Sequence, residues 1–195
     1  MPSLKSFRFT EPIVTERLIL RPFEERDLDD LFEIESRPDV TRFLYWEPRT
    51  RDEVVEALAS RIVSTELAND GDKLNFAVTR RPDGPVIGDL TLIRHRANDG
   101  HVEIGYVFHP DAHGQGLATE AARALMDLAF DHLDAHRVSA ALDARNAPSA
   151  ALLERLGLRR EAHLVRNEWV KGEWTDELIY AVLAEEWAAS RLGAG

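Results

Sequence analysis

Glycines stand immediately before an amphipathic stretch in the middle of the chain, at Gly114 and Gly116. From about Leu117 the apolar residues recur roughly every three to four positions, a spacing that predicts a helix. Glycines before a helix let the backbone approach a ligand closely, and the unpaired N–H groups of the first turn favour an anion. The spacing therefore predicts a phosphate or pyrophosphate site, with an ordinary turn at the start of a helix as the structural alternative.

The sequence of this loop, Gly114-Gln115-Gly116-Leu117-Ala118-Thr119, narrows the chemistry. No Lys follows it, so it is not a Walker A loop. Thr119 stands where the fingerprint of a dinucleotide-binding fold would have its third glycine. A nicotinamide-type dinucleotide binder is thus supported by the short glycine loop alone.

The loop is predicted to connect a strand to a helix. Residues His101–Phe108 alternate β-branched or aromatic side chains with polar ones, follow an Asn98-Asp99-Gly100 turn, and end before Pro110. Further strands are predicted over residues 14–21, 73–80, 86–96, 136–142, 159–170 and 175–183, and further helices over residues 24–36, from 50 to near 69–71, and over 148–156. Because a helix follows the glycine loop, the strand over 136–142 is expected to lie parallel to His101–Phe108. These elements predict an α+β fold with a mixed sheet.

Composition places the chain among globular proteins. Of its 195 residues, 44% are hydrophobic and 30% charged, as in globular proteins, and the length predicts one domain over residues 1–195. The formal net charge of −11 argues against a general nucleic-acid binder and suits a cationic substrate. The absence of cysteine excludes disulfides, thiolate metal sites and a cysteine nucleophile. We find no signal-peptide pattern at the start and no apolar run long enough for a membrane helix, so we expect a cytoplasmic protein.

Five stretches in order along the chain carry a resemblance. They are Thr15-Glu16-Arg17-Leu18 with Leu20-Arg21-Pro22, Glu103-Ile104-Gly105-Tyr106, the glycine loop through Ala121, Asn146-Ala147-Pro148-Ser149, and Glu154-Arg155-Leu156-Gly157. They resemble the GNAT acyltransferases, specifically the Rim-type N-terminal acetyltransferases of ribosomal proteins, over residues 14–183, least distinctively over 39–72. The resemblance implies a mixed, mostly antiparallel central sheet that is splayed at the acetyl-CoA site and flanked by helices.

For the glycine loop, the resemblance implies that the residues from Gly114 to Thr119 cradle the pyrophosphate of acetyl-CoA. This matches the anion site expected from the residues themselves. One departure is His113, because the family loop usually begins with Gln or Arg. Any help from a fixed cation at this position therefore becomes dependent on pH.

For the neighbouring strand, the resemblance implies that it splays from its parallel partner. The backbone groups of Val107, Phe108 and His109 would then be free to hydrogen-bond the pantetheine arm of acetyl-CoA. Asn146 would bond the same arm, although a role as the N-cap of a helix suits an asparagine equally.

Acetyl transfer from a thioester to an amine requires a neutral amine, a stabilised oxyanion and a proton for the departing thiolate. Glu103 is the candidate base, directly or through a water, and its alternative is an exposed strand carboxylate without a role. The resemblance makes Ser149 the group that protonates or hydrogen-bonds the leaving sulfur, and Tyr106 is the other candidate acid. A backbone N–H near Val107 is the candidate oxyanion donor.

Other conspicuous residues carry weaker predictions. His109 and His113 flank a proline and lack a third ligand, so no metal is expected. Aromatic residues that either line a substrate cleft or fill the core are Phe43, Tyr45, Trp46 and Trp169. Arginines that either reach the 3′-phosphate of CoA or remain solvated are Arg123, Arg145 and Arg155.

We therefore expect an acetyl-CoA-dependent N-acetyltransferase that works by direct attack of a primary amine. The acceptor expected first is a protein N-terminal α-amine, and a small amine such as a polyamine or an aminoglycoside-like antibiotic is the alternative. Two further hypotheses are a non-catalytic acyl-CoA-binding sensor or scaffold and an acyltransferase that uses another donor such as succinyl-CoA. No nucleic-acid or membrane partner is expected, and a monomer or a homodimer fits equally.

Overall fold

The computed structural model of the chain describes residues 4–95 and 100–192. Its strands are β1 Phe7–Arg8, β2 Ile13–Val14, β3 Leu18–Arg21, β4 Glu66–Leu67, β5 Lys73–Arg80, β6 Val86–Arg94, β7 His101–Phe108, β8 Arg137–Asp143, β9 Arg159–Val170 and β10 Glu173–Leu183. Its α-helices are α1 Leu28–Glu35, α2 Pro38–Thr41, α3 Arg51–Val63, α4 Leu117–Asp127, α5 Ala147–Arg155 and α6 Ala184–Leu192. Strands β1 and β4 pair with each other, and the remaining strands form one sheet in the order β2-β3-β5-β6-β7-β8-β10-β9.

The central sheet opens between β7 and β8. These strands are parallel, whereas every other described pair of neighbouring strands is antiparallel. The β7–β8 pairing runs only from His101 opposite Arg137 to Glu103 opposite Ser139. Strand β7 nevertheless continues along β6 as far as Phe108, which lies opposite Gly88. The predicted mixed, mostly antiparallel and splayed sheet is therefore confirmed.

Helices bury apolar residues against both faces of this sheet. The larger core packs α4, α5 and α6 against one face through Leu117, Leu153 and Trp187. The smaller core packs α1 and α3 against the other face through Leu31 and Val54. The two layers leave the gap between β7 and β8 at the middle of the molecule, directly before α4 and α5.

The structure corrects three sequence expectations outside this gap. The strand expected over 14–21 is interrupted by a turn in which the N–H of Thr15 donates to the carbonyl oxygen of Leu18. The helix that begins after Thr50 ends at Val63, not near 69–71, because the chain turns at Ser64 to form β4. Helix α6 was not expected from the sequence, and residues 98 and 99 of the expected turn lie outside the described residues.

Candidate active site

The glycine loop presents unused backbone donors at the start of α4. Gly114 and Gly116 have φ angles of +70° and +75°, a left-handed conformation that side chains other than glycine rarely adopt. Within the described part of the chain, no backbone N–H from Gly114 to Thr119 has a hydrogen-bond acceptor. The next N–H, that of Glu120, donates to Gly116 and closes the first helical turn. The loop therefore offers an arc of N–H groups at the positive end of a helix, the arrangement that binds phosphates.

Glu120 holds this loop against the N-terminal strands. Its carboxylate accepts the Thr15 hydroxyl at 2.6 Å, the Arg17 backbone N–H at 2.9 Å and the Arg17 Nε at 2.6 Å. Arg17 also donates from Nη1 to the carbonyl oxygen of Gln115 at 2.9 Å. Burial opposes the ionisation of Glu120, but these donors outweigh it and lower the pKa. No sequence pattern predicts this brace, the contacts of Glu120 with Thr15 and Arg17, because its members lie about a hundred positions apart.

A first cavity of about 440 Å³ lies beside the glycine loop, between α4 and α5. It is lined by Tyr106, Ala112, His113, Gly114, Gly116, Ala118, Thr119, Asn146, Pro148, Ser149, Leu152 and Arg155. Two loop residues expected at the cofactor do not line it with their side chains. The Leu117 side chain is buried in the core, and the Gln115 side chain bonds Arg80 and the carbonyl oxygen of Asp111.

Arg155 is the arginine that the structure brings to this cavity. Its side chain has no ion pair or hydrogen bond with any described residue. Arg145 is instead held by Asp143 and Glu173, each at 2.7 Å, and Arg123 lies over the ring of Trp187. Of these three arginines, for which the sequence left open a contact with the CoA 3′-phosphate or exposure to solvent, only Arg155 lines the first cavity.

Backbone groups of β7 face the gap where the sheet opens. Only some of the groups that were expected to be free there are free. The His109 N–H donates to the carbonyl oxygen of Ile87 at 2.9 Å, so it belongs to the β6 ladder and is not free. Because groups alternate along a strand, those of Val107 also face β6, whereas those of Tyr106 and Phe108 face the gap. This corrects the expectation of free groups at Val107 and His109. The carbonyl oxygen of Phe108 accepts a bond from His113 Nε2 at 3.3 Å.

Tyr106 and Ser149 meet at the inner end of the first cavity. The Tyr106 hydroxyl lies 2.8 Å from Ser149 Oγ and 3.3 Å from the carbonyl oxygen of Ser149. Asn146 is the N-cap of α5, and its Oδ1 accepts the Ser149 N–H at 3.2 Å. Burial raises the pKa of Tyr106 to about 12, so the phenol keeps its proton at neutral pH. The two candidate acids thus form a hydrogen-bonded pair.

A second cavity of about 310 Å³ lies on the opposite face of the sheet. Its polar and apolar lining includes Arg61, Lys73, Asp89, Thr91, Glu103, Gly105, Val107 and Asp143. Phe43, Tyr45 and Trp46 form its outer wall, as one of the two alternatives predicted for them. Trp169 does not line it, and instead lies 60% exposed against the ring of Trp174. Tyr106, Asn146 and Ser149 line both cavities, so the two cavities meet at these residues.

In the second cavity some charged side chains are already paired, whereas the Glu103 carboxylate keeps an oxygen available to a bound molecule. Arg61 is occupied by Glu35 and by Asp89, the latter at 2.7 Å. The Glu103 side chain is 30% exposed, and its Oε2 lies 2.9 Å from His95 Nε2. Since Oε1 of Glu103 has no partner within the described ranges, this carboxylate can still accept a proton or an N–H from a molecule in the cavity.

Both histidines of the loop hydrogen-bond backbone groups. His109 Nδ1 accepts the N–H of Asp111 at 3.2 Å, while His113 bonds Phe108. Over residues 4–95 and 100–192 there is no group of three or more His, Cys, Asp or Glu side chains arranged to hold a metal ion. In the same residues no helix has the length and apolar character needed to cross a membrane.

Comparisons with known proteins identify the family. A family model described as an acetyltransferase (GNAT) domain matches residues 17–159, so the chain belongs to the GNAT acetyltransferase family and is an enzyme of the acyltransferase class. The uncharacterized N-acetyltransferase p20 of Bacillus licheniformis is 32% identical over 178 residues, which cover 91% of this chain and 99% of that protein. The uncharacterized N-acetyltransferase YnaD of Bacillus subtilis is 30% identical over 175 residues, covering 90% and 98%.

Solved structures agree with this assignment. The crystal structure of a GCN5-related N-acetyltransferase from Brucella melitensis superimposes with a TM-score of 0.84 at 27% identity. The match covers 98% of this chain and 86% of that one. Since GNAT enzymes use acetyl-CoA, the arc of N–H groups beside the first cavity is chemically suited to the phosphates of the family's co-substrate.

Proposed function

We propose that the protein is an acetyl-CoA-dependent N-acetyltransferase in which a primary amine attacks the thioester directly. The observation that carries this proposal is the meeting of two cavities, from opposite faces of the splayed sheet, at Tyr106, Asn146 and Ser149. The first cavity has N–H donors for phosphates, and the second has the Glu103 carboxylate for an amine. Two substrates held in this way face each other across the junction without a covalent enzyme intermediate.

The first cavity would hold acetyl-CoA, which supplies the acetyl thioester. The N–H arc from Gly114 to Thr119 suits its pyrophosphate, and Arg155 suits a further phosphate. The gap-facing backbone groups of Phe108 and the side chain of Asn146 suit the amides of the pantetheine arm. This arrangement directs the thioester toward Tyr106 and Ser149.

Residues at the junction match the three chemical requirements of acetyl transfer. Glu103, facing the second cavity, takes a proton from the attacking amine. A backbone N–H of β7 at Tyr106 or Phe108 stabilises the oxyanion. The Tyr106–Ser149 pair donates a hydrogen bond or a proton to the leaving thiolate, and either hydroxyl of the pair can be the final donor. With no cysteine in the chain, a cysteinyl intermediate is excluded.

The acceptor we propose is a primary amine on a cationic molecule. The Glu103 carboxylate in the second cavity and a formal net charge of −11 favour such a molecule. A protein N-terminus comes first, supported by 26% identity over 182 residues to a putative ribosomal N-acetyltransferase, YdaF of Bacillus subtilis. A small polyamine comes second, supported by 23% identity over 176 residues to a spermidine N(1)-acetyltransferase of Escherichia coli. At pH 7 an α-amine is about 10 to 15% neutral but a Lys is below about 0.1%, so an N-terminus needs less help from a base.

A thiol-release assay with acetyl-CoA tests the proposal. The acceptor panel contains basic peptides with free N-termini, the same peptides with blocked N-termini, lysine-only peptides, polyamines and aminoglycosides. We expect turnover on one amine class, and a large loss of turnover in Glu103→Gln and Ser149→Ala. Glu66→Gln serves as the control, because Glu66 pairs with Arg8 on the separate two-stranded sheet. Binding of acetyl-CoA in calorimetry without release of CoA on any amine would contradict the proposed enzyme activity on amines and favour a sensor.

A further inference from the structure

Glu103 is held by a histidine that reaches it from the neighbouring strand. His95 follows β6 directly, and its Nε2 lies 2.9 Å from Oε2 of Glu103. Within the described residues it is the only side chain that hydrogen-bonds this carboxylate. Glu103 lines the second cavity, at the position where the β7–β8 pairing ends.

His95 is itself fixed by further contacts with β7, through His101. Its backbone N–H donates to the carbonyl oxygen of His101 at 3.1 Å, and the two imidazole rings stack with centroids 4.9 Å apart. His101 Nε2 lies 2.7 Å from the hydroxyl of Ser139 on β8. A row of side-chain contacts therefore runs from Ser139 to Glu103: hydrogen bonds form its two ends, and the stacked rings of His101 and His95 join them.

We propose that His95 is a positioning residue for the base of the acetyl transfer. An N–H at Nε2 donates to Oε2 of Glu103 and fixes the rotamer of the carboxylate. The other oxygen, Oε1, is then directed into the cavity to receive the proton of the acceptor ammonium. This inference rests on the proposed function, because it assigns to His95 a role only in a reaction that uses Glu103 as the base.

The structure gives a reason why such a support matters here. A glutamate on a strand has several rotatable bonds, and the Glu103 side chain is 30% exposed at the rim of an open cavity. Lys73 lines the same cavity from β5 and would attract a carboxylate that was free to turn. The bond from His95 keeps the carboxylate beside the junction, in line with the general pattern of a base oriented by a third group.

A pair of substitutions separates the N–H donor from the ring. In His95→Gln the amide nitrogen lies as many bonds from Cβ as Nε2 of histidine, so the donor to Glu103 is retained. In His95→Asn the amide is one bond shorter and reaches only the position of Nδ1. We expect His95→Gln to keep kcat within about threefold of the wild type. His95→Asn should lower kcat about tenfold, because a misplaced base loses part of the roughly 10²- to 10⁴-fold rate increase that general base catalysis contributes. The KM for acetyl-CoA should stay unchanged in both variants.

The double variant tests whether His95 acts through Glu103. We expect His95→Asn to cause no further loss of kcat when it is added to Glu103→Gln, because the two changes remove one function. Thermal unfolding of each variant, followed by circular dichroism, verifies that the protein is folded. If the loss of kcat in the double variant equals the product of the two single losses, His95 acts independently of Glu103 and the inference is overturned.

The remaining outcomes distinguish this inference from the proposed function. Equal, large losses in His95→Gln and His95→Asn would overturn positioning by an N–H donor, as would wild-type rates in both. If Glu103→Gln is slow while both His95 variants are normal, the inference fails and the proposed function stands. If the wild type acetylates no amine, the proposed function itself fails.

Discussion

Replacing Asn146 by alanine separates two roles that one side chain fills. As the N-cap of α5, Asn146 accepts the Ser149 N–H at 3.2 Å, and loss of such a cap costs typically about 1 kcal/mol of stability. Thr50 caps α3 in the same way, with its side chain accepting the Glu53 N–H at 3.4 Å, but it lines neither cavity. Asn146→Ala and Thr50→Ala are therefore expected to lower the free energy of unfolding by similar amounts.

The magnitude of the stability effect follows from the size of the protein. In a chain of 195 residues, about 1 kcal/mol corresponds to a lower melting temperature by roughly 2–4 °C. Urea unfolding followed by circular dichroism measures the same loss as a free energy. Only Asn146→Ala should also affect catalysis, because Asn146 lies at the junction of the two cavities. We expect kcat/KM for acetyl-CoA to fall about tenfold, equivalent to roughly 1.4 kcal/mol.

Asn146→Asp supplies the result that decides between the two roles. Aspartate keeps an oxygen that accepts the Ser149 N–H, so the stability of the protein should return toward that of the wild type. It lacks the amide N–H₂ that would bond the pantetheine arm, so kcat/KM for acetyl-CoA should stay low. If Asn146→Asp restores both stability and kcat/KM, or if Thr50→Ala is as slow as Asn146→Ala, Asn146 is only a helix cap and the reasoning is refuted.

Four further predictions concern the glycine loop and the junction. Tyr106→Phe should lower kcat about tenfold or more with little change in KM for acetyl-CoA, and an unchanged kcat would remove the phenol from the mechanism. Gly114→Ala and Gly71→Ala, both at left-handed φ angles with open space at Cβ, should each cost about 1–2 kcal/mol of stability. Only Gly114→Ala should weaken CoA binding in calorimetry, and equal binding by both variants would argue against the loop as the phosphate site. Arg155→Leu should raise the Kd for CoA about three- to tenfold at low salt and less at high salt, and an effect independent of salt would contradict a phosphate contact. Because the pKa of Glu120 is lowered on folding, its carboxylate stabilises the fold above the ordinary glutamate pKa of about 4.3, and this contribution is lost as the pH falls below it. The free energy of unfolding, measured in urea at pH 7 and at pH 4, should therefore fall less on acidification in Glu120→Gln than in the wild type. Equal losses in the two proteins would contradict a stabilising role for the Glu120 carboxylate.

Local patterns were sufficient for the part of the fold that builds the junction. Strands β5 and β7 have the predicted bounds. In β7 the alternation of apolar and polar side chains is typical of a strand with one buried face. The glycine loop and the start of α4 at Leu117 were also predicted, since left-handed turns and helix starts depend on a few neighbouring residues. The parallel placement of β8 followed from the intervening helix.

Contacts between distant residues could not be predicted in this way. Helix α6 has Trp187 as its single buried residue, so no apolar stripe marks it in the sequence. That side chain is held by the ring of Phe130, 6.0 Å away between centroids, and by Asp127, which accepts its Nε1 at 3.0 Å. The contacts of Glu120 with Thr15 and Arg17, which hold the glycine loop, are equally non-local. Such contacts become visible only when the whole sheet has been assembled.

The backbone groups that face the gap could be predicted from the sequence only in part. The sequence placed them near Val107, but which residues face the gap depends on the register of β7 against β6. The bond from the His109 N–H to Ile87 sets that register and assigns the gap to Tyr106 and Phe108. The His95–Glu103 pair depends on the same register, since His95 lies opposite His101, two positions before Glu103 on β7.

Direct transfer between two cavities that meet at Tyr106, Asn146 and Ser149 is tested most directly by initial-rate kinetics. The rate of CoA release would be measured while the concentrations of acetyl-CoA and of the accepted amine are both varied, and mass spectrometry would identify the product. We predict that double-reciprocal lines intersect and that the amine gains one acetyl group, as attack within a ternary complex requires. Parallel lines, together with a protein that carries the acetyl group in the absence of amine, would show a covalent intermediate and contradict the account.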